Sequence, residues 1–177
     1  MNNFSSDNIF VGLEVSQIDA ENLALAGGIP ASELHITLAQ LSSDNDIATV
    51  ATAVACAIDC CDCFVNNVLT VDIDGVARLN GEAGDDFFVA LTGGEPLDEV
   101  QEEIEDCIED FIPDAEVEDP DFMHITLTRL AVDENMPISR LDSSQINFTG
   151  VVVASGDMVY RLPFPTGPMV LDVNVSM

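Results

Sequence analysis

Three features predict an α+β fold for this sequence. Short apolar segments with period-two alternation recur along it and read as strands. Two stretches with helical spacing interrupt them. The chain's only two histidines, His35 and His124, both stand in the tetrapeptide His-Ile-Thr-Leu, 124 − 35 = 89 residues apart. Each half therefore holds an apolar strand, a histidine strand and a helix, a symmetry of pattern rather than a sequence repeat. With 177 residues, 47% of them hydrophobic, the chain suffices for a single domain over residues 1–177 with a real core.

The elements follow in order. "IFVGLEV", from Ile9 to Val15, is rich in β-branched and apolar residues and is expected as a strand. "NLALAGGIPASE" is punctuated by Gly27, Gly28 and Pro30 and is expected to be irregular. Leu34–Leu41 alternates isoleucine and leucine with histidine and threonine, a half-buried strand pattern. "SSDND" supplies N-caps for a helix over 46–63, with Ile47, Val50, Ala51, Val54, Ile58 and Cys61 on its apolar stripe. "NNVLTVDIDGVARL" and "FFVALT", joined by "GEAGDD", form an expected hairpin. A second helix follows, its stripe Leu97, Val100, Ile104, Cys107, Ile108 and Phe111, with Pro113 to stop it. After the loop "DAEVEDPDF" comes the second histidine strand. "INFTGVVVA", "SGD" and "MVYRLPF" close with another hairpin, before a tail ending in "MVLDVNV".

The charge is extreme: 33 acids against four arginines and no lysine, a net −29. Such self-repulsion destabilises a compact chain in dilute buffer. Salt at 1 M shortens the Debye length to about 3 Å and removes most of the cost. Adaptation to a salt-rich cytoplasm, that of a halophile or of a cell infected by a virus encoding the chain, is the expectation. The same field repels long nucleic acids and anionic membranes, so a small ligand is the expected partner. No stretch of about 18 uninterrupted apolar residues is present. The N-terminus lacks the basic and apolar regions of a signal peptide, and an intracellular, cytoplasmic protein is expected.

Four of the five cysteines crowd into 56–63. Cys56, Cys60 and Cys63 follow i, i+4, i+7 and form an uncharged helical stripe about opposite Ile47, Val54 and Ile58. Zinc takes four ligands and no histidine is spare, so no metal is assigned. In so acidic a chain an uncharged face is expected to be covered, by a second copy in a homodimer or by a larger assembly.

On a strand, i and i+2 face the same way, so His35 with Thr37, and His124 with Thr126, each present an imidazole and a hydroxyl together. If the halves pair about a twofold axis, the two sets converge across a cleft. One imidazole can then take a proton and the other give one, while the hydroxyls donate to phosphate oxygens.

"GIPASELHITLAQL" and "DPDFMHITLTRL" resemble the two signature motifs of the two-histidine (2H) phosphoesterase superfamily, in the branch of RNA 2',3'-cyclic phosphodiesterases once called 2'-5' RNA ligases. "FVGLEV" and "VVVASGDMVYRLPF" resemble that family more weakly. The resemblance implies a bilobal α+β fold, a pseudo-twofold pair of antiparallel sheets with helices outside and a central cleft. It implies His35 and His124 as general acid and base, Thr37 and Thr126 as phosphate ligands, and no cofactor. Arg129 stands where some relatives have an arginine, although strict alternation turns it away from the histidine face; an ion pair with a nearby acid is its other reading. Met123 departs from the proline that many relatives place before the second histidine, and basic residues around the cleft are nearly missing. A base-stacking aromatic could be Tyr160 or Phe122, with packing the commoner role for each.

The expected function is a metal-independent phosphodiesterase for a small nucleotide phosphodiester. The substrate would be a 2',3'-cyclic phosphate or a cyclic or 2'-5'-linked oligonucleotide messenger, the latter attractive for a virus evading antiviral signalling. The alternative is a non-catalytic nucleotide-binding or virion-assembly protein that keeps the fold. Scarce cations favour that alternative, and the intact His/Thr pairs oppose it.

Overall fold

The computed structural model describes residues 6–60, 68–81, 85–131 and 133–165. Its strands are β1 (Asn8–Val15), β2 (His35–Ser42), β3 (Leu69–Asn80), β4 (Asp85–Gly93), β5 (Val117–Glu118), β6 (His124–Ala131), β7 (Gln145–Ser155) and β8 (Met158–Pro163). Its helices are α1 (Gln17–Leu23), α2 (Ile47–Cys60) and α3 (Glu95–Phe111). All strand pairings are antiparallel, and they close into a circuit: β1 pairs β2, β2 pairs β6, β6 pairs β4, β4 pairs β3, β3 pairs β7, and β7 returns to β1. β8 extends the β7 edge and β5 pairs β2.

Alternation along the histidine strands sends one side chain in two to the core. Ile36, Leu38, Ile125 and Leu127 are fully buried, in the same cluster as Val50 and Val54 of α2 and Leu97, Val100, Ile104 and Ile108 of α3. Each such side chain contributes roughly 1.5–3 kcal/mol of burial. A one-residue slip of both strands would expose all four, roughly 6–12 kcal/mol by the same scale, comparable to the whole stability of a domain. The core thus fixes which side chains face the cleft.

Three expectations need correction. Residues 17–23 form α1, a helix that was not expected and that takes in Asn22 and Leu23 of the stretch expected to be irregular. Ser16 caps it by accepting from the Asp19 amide at 3.3 Å. The Asp19 carboxylate in turn accepts from the Asn147 backbone at 2.8 Å and holds the helix on β7. A helix of seven residues offers too few turns for periodicity to show. β5, only two residues long, was also unforeseen, because its edge pairing is made by tertiary context. Phe111 is 45% exposed, not buried: the stripe ends at Ile108 as α3 leaves the core. α2 is described to Cys60, so Cys61 and Cys63 lie outside the described residues, as does the "MVLDVNV" tail.

Candidate active site

β2 and β6 meet at one registered pair, Ile36 opposite Ile125. Antiparallel pairing there sets His35 beside Thr126 and Thr37 beside His124, the two tripeptides related by a local twofold axis. The likeness extends further than four residues: His-Ile-Thr-Leu-Ala-Gln-Leu ends β2's motif and His-Ile-Thr-Leu-Thr-Arg-Leu ends β6's.

Each strand then bulges at the same place. Gly12 pairs with Thr37 but Val11 pairs with Ala39, leaving Leu38 extra. Val89 pairs with Thr126 but Phe88 pairs with Thr128, leaving Leu127 extra. A bulge inverts the alternation beyond it. Gln40, opposite Phe10, and Arg129, opposite Phe87, are thereby returned to the histidine face. Strict alternation turned Arg129 away; the bulge is the physical reason it comes back. Both bulged carbonyls are held from the other half of the chain. Gln101 of α3 donates to Leu38 at 3.3 Å, and the Ile29 amide donates to Leu127 at 2.8 Å. The second contact needs Gly28, since a Cβ there would lie 2.5 Å from the Leu127 oxygen.

The imidazoles are held alike. His35 Nδ1 lies 2.7 Å from the Glu33 carbonyl oxygen, and His124 Nδ1 lies 3.2 Å from that of Phe122. A carbonyl only accepts, so each Nδ1 carries a proton toward it, and Nε2 is the ring atom that can exchange a proton with a ligand. The Phe10 ring meets His35 edge-on at 4.5 Å. It reaches across Gly12, where a Cβ would lie 2.3 Å from the ring and 2.6 Å from the Ile36 oxygen. Burial lowers the His35 pKa below its ordinary 6.5; the Glu33 carbonyl opposes this, and the charge of nearby His124 adds to it.

A hollow of about 300 Å³ is lined by His35, Thr37, Gln40, Thr126, Arg129 and Phe87, among others. His124 does not line it, and stands across the β2–β6 junction with its ring 5.5 Å from that of Phe122. Arg129 lies over the Phe87 ring, 5.8 Å from its centroid. It makes no salt bridge among the described residues, whereas Arg78 is bound to Asp86 and Arg161 to Glu14. A larger hollow of about 1080 Å³ lies between α1 and residues 135–146 and contains neither histidine. Size alone does not make it the site: His35, both motif threonines and Arg129 are at the smaller one. Sequence reasoning did not single out Gln40, although its place in the heptapeptide repeat was the available signal.

The cysteine stripe has a neighbour within the chain. Cys107 of α3 is pushed up to about 11 by burial first and then by the Cys56 thiol and the Glu103 carboxylate. α3 therefore shields part of the uncharged face, leaving Thr52 and Cys60 exposed. Among the described residues no group of three or more His, Cys, Asp or Glu side chains could hold a metal ion, and no helix is long and apolar enough to cross a membrane.

No family model matches the sequence, and no curated protein matches it. Solved structures match nearly end to end. Usb1 of Kluyveromyces marxianus is 13% identical with a TM-score of 0.59, over 89% of this chain and 98% of that one. TT0787 of Thermus thermophilus is 12% identical at 0.62, over 89% and 97%. LigT of E. coli is 15% identical at 0.59, over 90% and 95%. The chain has the two-histidine phosphoesterase fold. At such low identity the likeness is one of fold, and the chemistry of this chain rests on its own residues.

Proposed function

We propose that this chain is a phosphodiesterase for a small nucleotide phosphodiester, working by paired-histidine acid–base catalysis. The observation that carries the reading is the antiparallel seating of two His-x-Thr tripeptides with both Nδ1 atoms bound to carbonyls. In this mechanism His35 Nε2, kept neutral by burial, takes a proton from water as its oxygen attacks phosphorus. His124, protonated, gives its Nε2 proton to the leaving ribose oxygen as the P–O bond breaks. The Thr37 and Thr126 hydroxyls donate to the non-bridging oxygens, and Arg129 balances their charge. The step needs no metal or organic cofactor.

Solved structures of the same fold support a nucleotide ligand: LigT of E. coli has been solved with 3'-AMP, ATP and NADP+, and Usb1 with uridine monophosphate. A 2',3'-cyclic phosphate or a cyclic or 2'-5'-linked oligonucleotide messenger fits a hollow of about 300 Å³ better than a long strand, which the net charge of −29 also repels. That charge supports work in a salt-rich cytoplasm. Self-association through the exposed remainder of the cysteine face belongs to the same reading, and light scattering in high salt tests it.

The deciding experiment incubates the protein in molar KCl with 2',3'-cyclic nucleotides, 2'-5' oligoadenylates and cyclic dinucleotides, with products read by mass spectrometry. Conversion of at least one class to a phosphomonoester is expected. Binding without conversion of any of them would select the non-catalytic alternative.

A further inference from the structure

The local twofold axis between Ile36 and Ile125 exchanges His35 with His124 and Thr37 with Thr126, like for like. One cleft-facing pair breaks the symmetry: Gln40 occupies the place that Arg129 occupies on the other strand, each two β-pairs beyond its threonine. Both line the hollow. A guanidinium meets an anion; a carboxamide, with a donor and an acceptor side by side, meets a neutral group that has the same two functions. The site is therefore symmetric for the scissile phosphate and polar for what is attached to it.

Three more observations define the Gln40 end. Asn8, diagonal to Gln40 across β1 and β2, brings a second carboxamide to the hollow. Neither amide side chain has a hydrogen-bond partner among the described residues. The segment from Glu118, paired with Gln40, to Ile125, paired with Ile36, runs along this half of β2 and carries Phe122, whose ring is 46% exposed. Phe87, by contrast, is already covered by Arg129. Phe10 and Gly12 separate the Gln40 and Thr37 levels by two residues of β1, about 7 Å. That exceeds the reach from a phosphate to its own ribose hydroxyls and suits the edge of a base.

We propose that Gln40 is a specificity-determining residue that reads the nucleobase, with Asn8 beside it and Phe122 offering a stacking face, while Arg129 holds phosphate charge at the opposite end. The orientation follows: the nucleoside lies on the Thr37/His124 side and the charged arm on the Thr126/His35 side. This inference rests on the phosphodiester reading for its substrate class, but not for its test.

The test compares adenosine 2',3'-cyclic phosphate with methyl riboside 2',3'-cyclic phosphate, which lacks the base. In wild type kcat/KM favours the nucleoside. Gln40→Leu should lower that preference about 10-fold or more, the discrimination a good amide–base pair supplies, with the abasic rate kept. Arg129→Ala should depress both substrates and leave their ratio alone. In parallel, calorimetry measures adenosine 3'-phosphate against methyl riboside 3-phosphate, and the same collapse of preference is expected in Gln40→Leu. Should that variant melt early, the nearly isosteric Gln40→Met replaces it. A preference unchanged by the substitution, or an equal loss on both ligands, overturns the assignment. If wild type cleaves neither cyclic phosphate, the 2',3'-cyclic phosphate is ruled out as its substrate class, and the binding ratio still judges Gln40.

Discussion

Ile36 and Ile125 face each other across β2 and β6, and everything catalytic in the proposal is arranged around that pair. Both side chains are fully buried, so their burial holds the register that sets His35 beside Thr126 and Thr37 beside His124. The beyond-threonine bulges at Leu38 and Leu127 then add Gln40 and Arg129 to the same face.

The threonines should matter less than the histidines. Thr37→Val and Thr126→Val each remove one neutral donor to phosphate and keep the shape of the side chain. Each should lower kcat on a confirmed substrate, on the order of 10²-fold at most. An unchanged kcat in both would take the hydroxyls out of the mechanism.

The pH profile should be asymmetric about the ordinary histidine value. Burial keeps His35 neutral below 6.5, so the acid limb of kcat/KM is expected below that pH. Phe10→Ala should admit water to the ring and move the limb upward. The same burial links to stability with a definite sign. The unfolded chain takes up its proton near 6.5 and the folded chain only at lower pH, so this contribution is lost as pH falls below 6.5. A wild-type limb at or above 6.5, unmoved in Phe10→Ala, would contradict the assignment of His35 as base.

Gly12→Ala should be disproportionately damaging for the gain of one methyl group. Its Cβ meets the Ile36 backbone oxygen as well as the Phe10 ring, and the backbone cannot move aside. A loss of about 1–3 kcal/mol is expected from chemical denaturation. A variant as stable as wild type would mean that β1 and β2 are spaced differently.

Glu105 provides a test of the fold away from the site. Burial first, and then Asp119, raise its carboxyl to about 7. Folding therefore favours its protonated form, and the contribution is present below 4.5 and lost as pH rises through about 7. Glu105→Gln should raise the melting temperature at pH 8 relative to wild type and leave it nearly unchanged at pH 5. Equal effects at both values would sever the link to titration.

The His/Thr faces were legible in the sequence because period two is a local signal and the motif occurs twice. The hairpins were legible for the same reason, as was α3 with its wide apolar stripe. Arg129 was named but turned the wrong way. A bulge leaves no mark in hydrophobic alternation until the partner strand is known, and Leu38-Ala39 and Leu127-Thr128 look like ordinary strand residues. Gln40 was overlooked for that reason. α1 was hidden by its shortness, since a cap at Ser16 and a tie from Asp19 to Asn147, 128 residues away, do the work that periodicity does in longer helices. The approach of Cys107 to the uncharged stripe on α2 is a tertiary fact with no local mark in the sequence.

The central claim is that two imidazoles act on one phosphodiester. It is tested most directly by single-turnover cleavage of a confirmed substrate by wild type, His35→Ala, His124→Ala and the double variant, in molar KCl with a chelator present. Each single substitution is expected to slow cleavage by about 10²–10⁴. The double variant should lose much less than the product of the two, because the residues act as a unit. A single variant that retains the wild-type rate, or a wild-type activity abolished by the chelator, would contradict the account.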